Sequence, residues 1–179
     1  MNKGNLKNKK KSIKMVAVIC TMVTILTATM LTAFASNSTY RSNGTTQFDC
    51  RIPVGGEKGK IFKAVDSTAT LRCSVMPELR ATHKECIVYQ VYVDSDGNEF
   101  IKAKDTINRQ VKGGEDRVNH ETVTFTQKTG SNYKYVMSIY PVKYDKISGL
   151  IKEWPKRKPG KDGNCVVYPF VITSLELDY

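Results

Sequence analysis

Apolar and polar positions alternate with a period of two over much of this chain, the signature of half-buried β-strands. The strongest run is 85–93, Glu-Cys-Ile-Val-Tyr-Gln-Val-Tyr-Val, β-branched or aromatic almost throughout. One face carries Ile87, Tyr89, Val91 and Val93; the other carries Cys86, Val88, Gln90 and Tyr92. A strand apolar on both faces needs cover on both sides, which predicts a central place in a sheet. Asp94–Asn98 reads as a turn and Glu99–Lys104 as the returning strand.

The same period recurs elsewhere. Phe48, Cys50 and Ile52 mark a first strand, and Ile61–Val65 a short one. Ala69, Leu71, Cys73 and Val75 mark a clear half-buried strand, followed by a loop or single helical turn over Pro77–Lys84. Val123 and Phe125 alternate with Thr122, Thr124 and Thr126; Tyr133, Tyr135, Met137 and Ile139 form the next strand, stopped by Pro141. Asp105–Asp116 is a polar connection, and 142–164 is aperiodic. Cys165–Leu177 is a last strand region in which Pro169 predicts an edge position or a bulge. No amphipathic helix of useful length and no internal repeat is present. About seven to eight short antiparallel strands at this spacing predict an all-β fold, a β-sandwich of Ig-like or Greek-key type, with a barrel as second choice.

The first 35 residues have a different character. Lys3, Lys7, Lys9, Lys10, Lys11 and Lys14 precede an uncharged apolar run over 15–34, and Ala33-Phe34-Ala35 sets small residues before a cut at Ser36. This is the layout of a cleaved secretory signal helix over 1–35. The run approaches the length of a bilayer span, but Ala-x-Ala and the polar Ser36–Thr46 after it favour cleavage over retention as an anchor. The long, lysine-heavy leader resembles those of Gram-positive bacteria. Residues 36–46 read as a flexible N-terminal tail, and 47–179 as a single disulfide-bonded β domain.

Loss of six lysines and no acids takes the formal charge from +11 to +5. That moderate excess suits loose attraction to anionic envelope polymers or lipid headgroups and falls short of a nucleic-acid signature. Cys20 leaves with the signal, and Cys50, Cys73, Cys86 and Cys165 remain. An even number in an exported domain predicts two disulfides, of which three pairings exist. The expected pairs are Cys73–Cys86, clamping successive strands, and Cys50–Cys165, tying the first strand to the last. In the chain-entropy account such loops are worth about 3 and about 4–5 kcal/mol. With no Cys-x-x-Cys and only His83 and His120 to assist, a zinc site is disfavoured; no metal or other cofactor is expected.

Candidate binding chemistry concentrates in 150–161. Trp154, the only tryptophan, lies beside Lys156, Arg157, Lys158 and Lys161 on a segment stiffened by Pro155 and Pro159. An indole beside cations suits an anionic surface, the ring entering the interface and the cations meeting phosphates or carboxylates. The competing reading folds Trp154 back as a lid on the sheet beside a solvated charge run, and it is the favoured one. Asp94, Asp96, Asn98 and Asp105 echo part of a calcium loop, but Glu99 stands where that loop needs glycine, and a hairpin turn explains the residues. The glycines of Pro53–Gly59 read as a plain turn rather than an anion cradle. Several tyrosines, Tyr89, Tyr92, Tyr133, Tyr135, Tyr140, Tyr144 and Tyr168, would bind sugar rings or a protein if exposed together, and otherwise pack the sheets.

Catalytic motifs are absent. Neither Gly-x-Ser-x-Gly nor His-Glu-x-x-His occurs, and His120 and Glu121, adjacent on a strand, point to opposite faces. The reading that results is a secreted, non-enzymatic module binding an envelope component or a protein partner. A bacteriocin-like or toxin-like effector at anionic membranes or wall precursors is the alternative; small exported sandwich bacteriocins look similar in strand layout alone. A hydrolase with a dispersed site comes third.

Overall fold

In a computed structural model of the chain, the residues described are 38–76, 85–108, 118–156 and 170–179. The expected signal, 1–35, lies outside them, as do His83, Arg157, Lys158, Lys161, Cys165 and Tyr168. Every regular element among the described residues is a strand: β1 (Thr39–Phe48), β2 (Arg51–Pro53), β3 (Phe62–Lys63), β4 (Thr68–Val75), β5 (Glu85–Val93), β6 (Glu99–Asn108), β7 (Asn119–Thr126), β8 (Asn132–Ser138), β9 (Lys143–Tyr144), β10 (Ile151–Glu153) and β11 (Phe170–Asp178). All pairings are antiparallel.

One sheet runs β1-β11-β4-β7. The other runs β2-β8-β5-β6, with β3 also on β8, and β9 and β10 form a separate two-stranded ribbon. The chain changes sheet between Phe48 and Arg51, so the first strand expected over 48–52 is two strands in two sheets. β5 lies between β8 and β6, the interior place its two apolar faces require.

Other expectations are overturned or narrowed. Residues 39–46, read as a flexible tail, are most of β1, which pairs with β11 from Thr39↔Asp178 to Phe48↔Phe170. The strand is polar because it is an edge strand with a solvated outer face; β11 supplies its backbone partners and Tyr40 reaches inward to the ring of Phe62, 5.6 Å between centroids. The last strand is not an edge: β11 sits between β1 and β4, with a register shift between Ile172 and Ser174. The irregularity is there, at an interior position.

The inner faces of both sheets contribute to one apolar cluster: Leu71, Cys73 and Val75 of β4, Cys86 and Val88 of β5, Tyr135 and Met137 of β8, Phe170 and Leu177 of β11. Burial of each such side chain contributes about 1.5–3 kcal/mol before entropy is counted. Within it, the Tyr135 hydroxyl donates to Gln127 Oε1 at 2.8 Å and accepts from Gln90 Nε2 at 3.3 Å, while Gln127 Nε2 donates to the Thr68 carbonyl at 3.2 Å. Burial pushes the Tyr135 phenol up to about 12.

Cys73 and Cys86 belong to opposite sheets and to the same cluster, 3% and 0% exposed. Both are thiols here, so the expected Cys73–Cys86 bond is not formed in this structure. Burial, then the nearby Glu121, pushes the Cys73 thiol up to about 12; burial, then Cys73 itself, raises Cys86. Thiols held protonated in this way are poor nucleophiles. Cys50 is also a thiol and donates to the Pro155 carbonyl at 3.1 Å; its expected partner Cys165 lies outside the described residues.

Candidate functional site

The outer face of β5 positions the expected binding residue. Tyr89, Val91 and Val142 form a small buried cluster there, flanked by Ile87, Ile101, Ile151 and Trp154. Trp154 is half-buried in this layer. Its Nε1–H donates to Glu99 Oε2 at 2.7 Å, Lys134 Nζ meets Glu99 Oε1 at 2.5 Å, and the Arg51 guanidinium stands 5.2 Å from the centre of its ring. Trp154 therefore lies on the sheet with its polar edge paired, the folded-back arrangement rather than a free loop tip. Lys156 is exposed, 3.5 Å from Glu153.

Beside that layer, β9 and β10 project a hairpin whose turn is fixed by Asp145. Its Oδ1 accepts the backbone N–H of Ile147 at 3.0 Å and of Ser148 at 2.9 Å, and the Ser148 hydroxyl at 3.1 Å. These bonds hold the Asp145 carboxyl below its usual range. The hairpin joins the sheet through Gly149, whose carbonyl accepts the Ile101 N–H at 2.9 Å. Gly149 has φ +80°, and a Cβ there would lie 2.7 Å from the Ile101 oxygen, so the join requires glycine.

Cations gather along this edge. Lys102, Lys104 and Lys146 line one shallow depression with Ile147 and Tyr144. Lys143, Lys152 and Lys156 stand on the hairpin and the chain leaving it; Glu153 pairs with Lys143 at 3.0 Å and with Lys156, and Asp145 with Lys152 at 3.6 Å. Among the described residues Lys102, Lys104 and Lys146 meet no carboxylate within 4 Å; Lys102 stands over the rings of Tyr92 and Phe100, 5.3 and 5.7 Å from their centres. The edge is thus cation-rich with its acids engaged locally. Sequence reasoning missed Lys102, Lys104 and Lys146 because the strand and the hairpin are far apart in the chain.

The outer face of the other sheet carries a second polar cluster. Ser74 Oγ lies 3.0 Å from His120 Nδ1 and accepts from the Ser174 hydroxyl at 2.8 Å. Arg41 and Arg72 both pair with Glu176, and Arg72 also with Asp178. His120 lies opposite Ser74 and Glu121 opposite Cys73, so the histidine and its neighbouring acid are on different faces, as alternation requires. A hydroxyl activated by imidazole needs an orienting group on the second ring nitrogen. What the cluster shows is a hydrogen-bonded ladder from Ser174 through Ser74 to His120.

The remaining candidates resolve into local structure. Asp94 Oδ1 accepts the N–H of Asp96 and of Asn98, and Oδ2 accepts the Asn98 side-chain amide at 2.9 Å, so both oxygens serve a turn. In the glycine turn the N–H of Gly59 and of Lys60 are bonded to carbonyls of Gly56 and Val54. Tyr89 is buried in the outer layer, and Tyr133 and Tyr135 in the main core, so these three form no exposed aromatic surface. A mostly apolar cleft of about 340 Å³ lies between the edges of β1 and β2, lined in part by Tyr40, Ile52, Val54 and Leu175. No protein-family model, no curated protein and no solved structure matches this chain.

Proposed function

We propose that this chain is an exported, non-enzymatic β-sandwich that binds an anionic component of the cell envelope. The lysine-rich edge carries the reading: Lys102, Lys104 and Lys146 around one depression, with Lys143, Lys152 and Lys156 beside it. The leader over 1–35 is consistent with delivery to that surface. Exposed lysines on a rigid edge give long-range attraction and many weak contacts, which suits a repeating polyanion better than one small ligand. Trp154 serves this surface from beneath, by fixing the layer on which the hairpin stands.

The test is salt-dependent co-sedimentation with purified anionic wall polymer and with anionic vesicles. Binding that weakens steeply from low to high salt, and is lost when Lys102, Lys104 and Lys146 become glutamine, supports the reading. Equal binding by that triple variant, or none by the wild type to either anion, overturns it. Leakage from the vesicles at the same protein concentration would turn the assignment to a membrane-active effector.

A further inference from the structure

Ile147, at the tip of the β9–β10 hairpin, is 98% exposed. Nothing in the fold is gained by an isoleucine there: the turn is made by Asp145, Ser148 and Gly149. The tip is nevertheless closed by hydrogen bonds. Gly149 N–H donates to the Asp145 carbonyl at 2.8 Å and Asp145 N–H to the Leu150 carbonyl at 2.9 Å, so both ends of the turn are closed by backbone bonds. Leu150, three residues on, is 37% exposed. An apolar side chain is held outward on a turn already ordered, so little conformational freedom is left to lose on insertion.

We propose that the hairpin tip inserts Ile147 into the headgroup–acyl boundary of an anionic lipid bilayer, with Lys146 and the neighbouring lysines on lipid phosphates. This rests on the anionic-envelope reading and narrows it to lipid. The argument is charge complementarity around one apolar point. Lys146 adjoins Ile147, Lys102 and Lys104 line the same depression, and Lys143 and Lys152 flank it on the ribbon. The acids on that ribbon, Asp145 and Glu153, face lysines, and Asp145 is also held by the turn amides. A protein partner would have to bury on the order of 1,000 Å² with matched shape, and a single isoleucine among long lysines does not supply that. A bilayer asks for no shape, only an apolar side chain and positive charge at the right depth.

The experiment compares the wild-type protein with Ile147→Ser and with Lys102/Lys104/Lys146→Gln. Each is titrated with vesicles of equal phosphatidylglycerol and phosphatidylcholine, with pure phosphatidylcholine vesicles, and with soluble anionic wall polymer. The expected result is binding to the anionic vesicles and not to pure phosphatidylcholine, about tenfold weaker for Ile147→Ser with an unchanged unfolding midpoint, and lost for the triple lysine variant. Ile147→Leu should restore it. If Ile147→Ser binds anionic vesicles as tightly as wild type, the inference fails. If wild type binds the polymer through its lysines but not the vesicles, the inference fails and the broader reading stands. Binding to neither sinks both.

Discussion

Trp154 and Glu99 meet through a 2.7 Å hydrogen bond from the indole N–H to the carboxylate, although they are 55 residues apart in sequence. Glu99 simultaneously holds Lys134, so one carboxylate ties the 154 segment to β8. Glu99→Ala should leave the indole N–H and the Lys134 ammonium unpaired in a half-buried site, at about 1–3 kcal/mol. Trp154 is the only tryptophan, so tryptophan emission reports on this one site. Emission should shift to the red and become more accessible to acrylamide in Glu99→Ala, while wild type stays protected.

The juxtaposition of Cys73 and Cys86 across the core leads to a second expectation. Protein folded in the presence of a small disulfide oxidant should carry a Cys73–Cys86 bond. Two thiols would lose two hydrogens to the oxidant, which is reduced to its own thiols. Because the native thiols are buried and held protonated, the bond should form before the sheets close, and already folded reduced protein should resist oxidation. Peptide mapping without reduction checks this. Cys73→Ala with Cys86→Ala should unfold at lower denaturant than the oxidised form, by about 2–4 kcal/mol.

Asp178 predicts a pH dependence. Hydrogen bonds from Arg72 and then Thr39 hold its carboxyl below the usual 3.8. A lowered folded-state value means that protonation favours the unfolded chain. Its contribution is therefore complete above about pH 4 and is lost as pH falls through the folded value. Asp94, Asp145 and Glu153 are shifted in the same sense. Unfolding midpoints followed downward from about pH 6 should fall mainly below pH 4, and less steeply for Asp178→Asn.

At Gly149 a single methyl group should loosen the hairpin. Gly149→Ala places a side chain at φ +80° and against the Ile101 carbonyl. The left-handed conformation alone costs about 1–2 kcal/mol, and the clash adds to it. The Ile101 amide, which donates to Gly149, should exchange its hydrogen faster, while amides of β4 should be unchanged.

Sequence periodicity located the long central strands because burial imposes it. β5, with two apolar faces, was legible as interior, and the layer of Val142, Ile151 and Trp154 is the second cover it called for. β1 was not legible, since a polar edge strand such as Thr39–Phe48 is held by its neighbour's backbone rather than by its own side chains. The lysine edge was hidden for a related reason: Lys102 and Lys146 come together where Gly149 and Leu150 join β6. One local signal was present at the tip, an isoleucine between Asp145 and Gly149 in a stretch of turn residues.

Thr39 pairs with Asp178, 139 positions later, and β11 stands in the middle of its sheet. A chain delivered amino end first by the ribosome must therefore hold β1 and β4 in waiting without the strand that separates them. Assembly of that layer is a closing event rather than a progressive one, and a chaperone that shields β4 until 170–178 arrives would cover an edge still waiting for its partner.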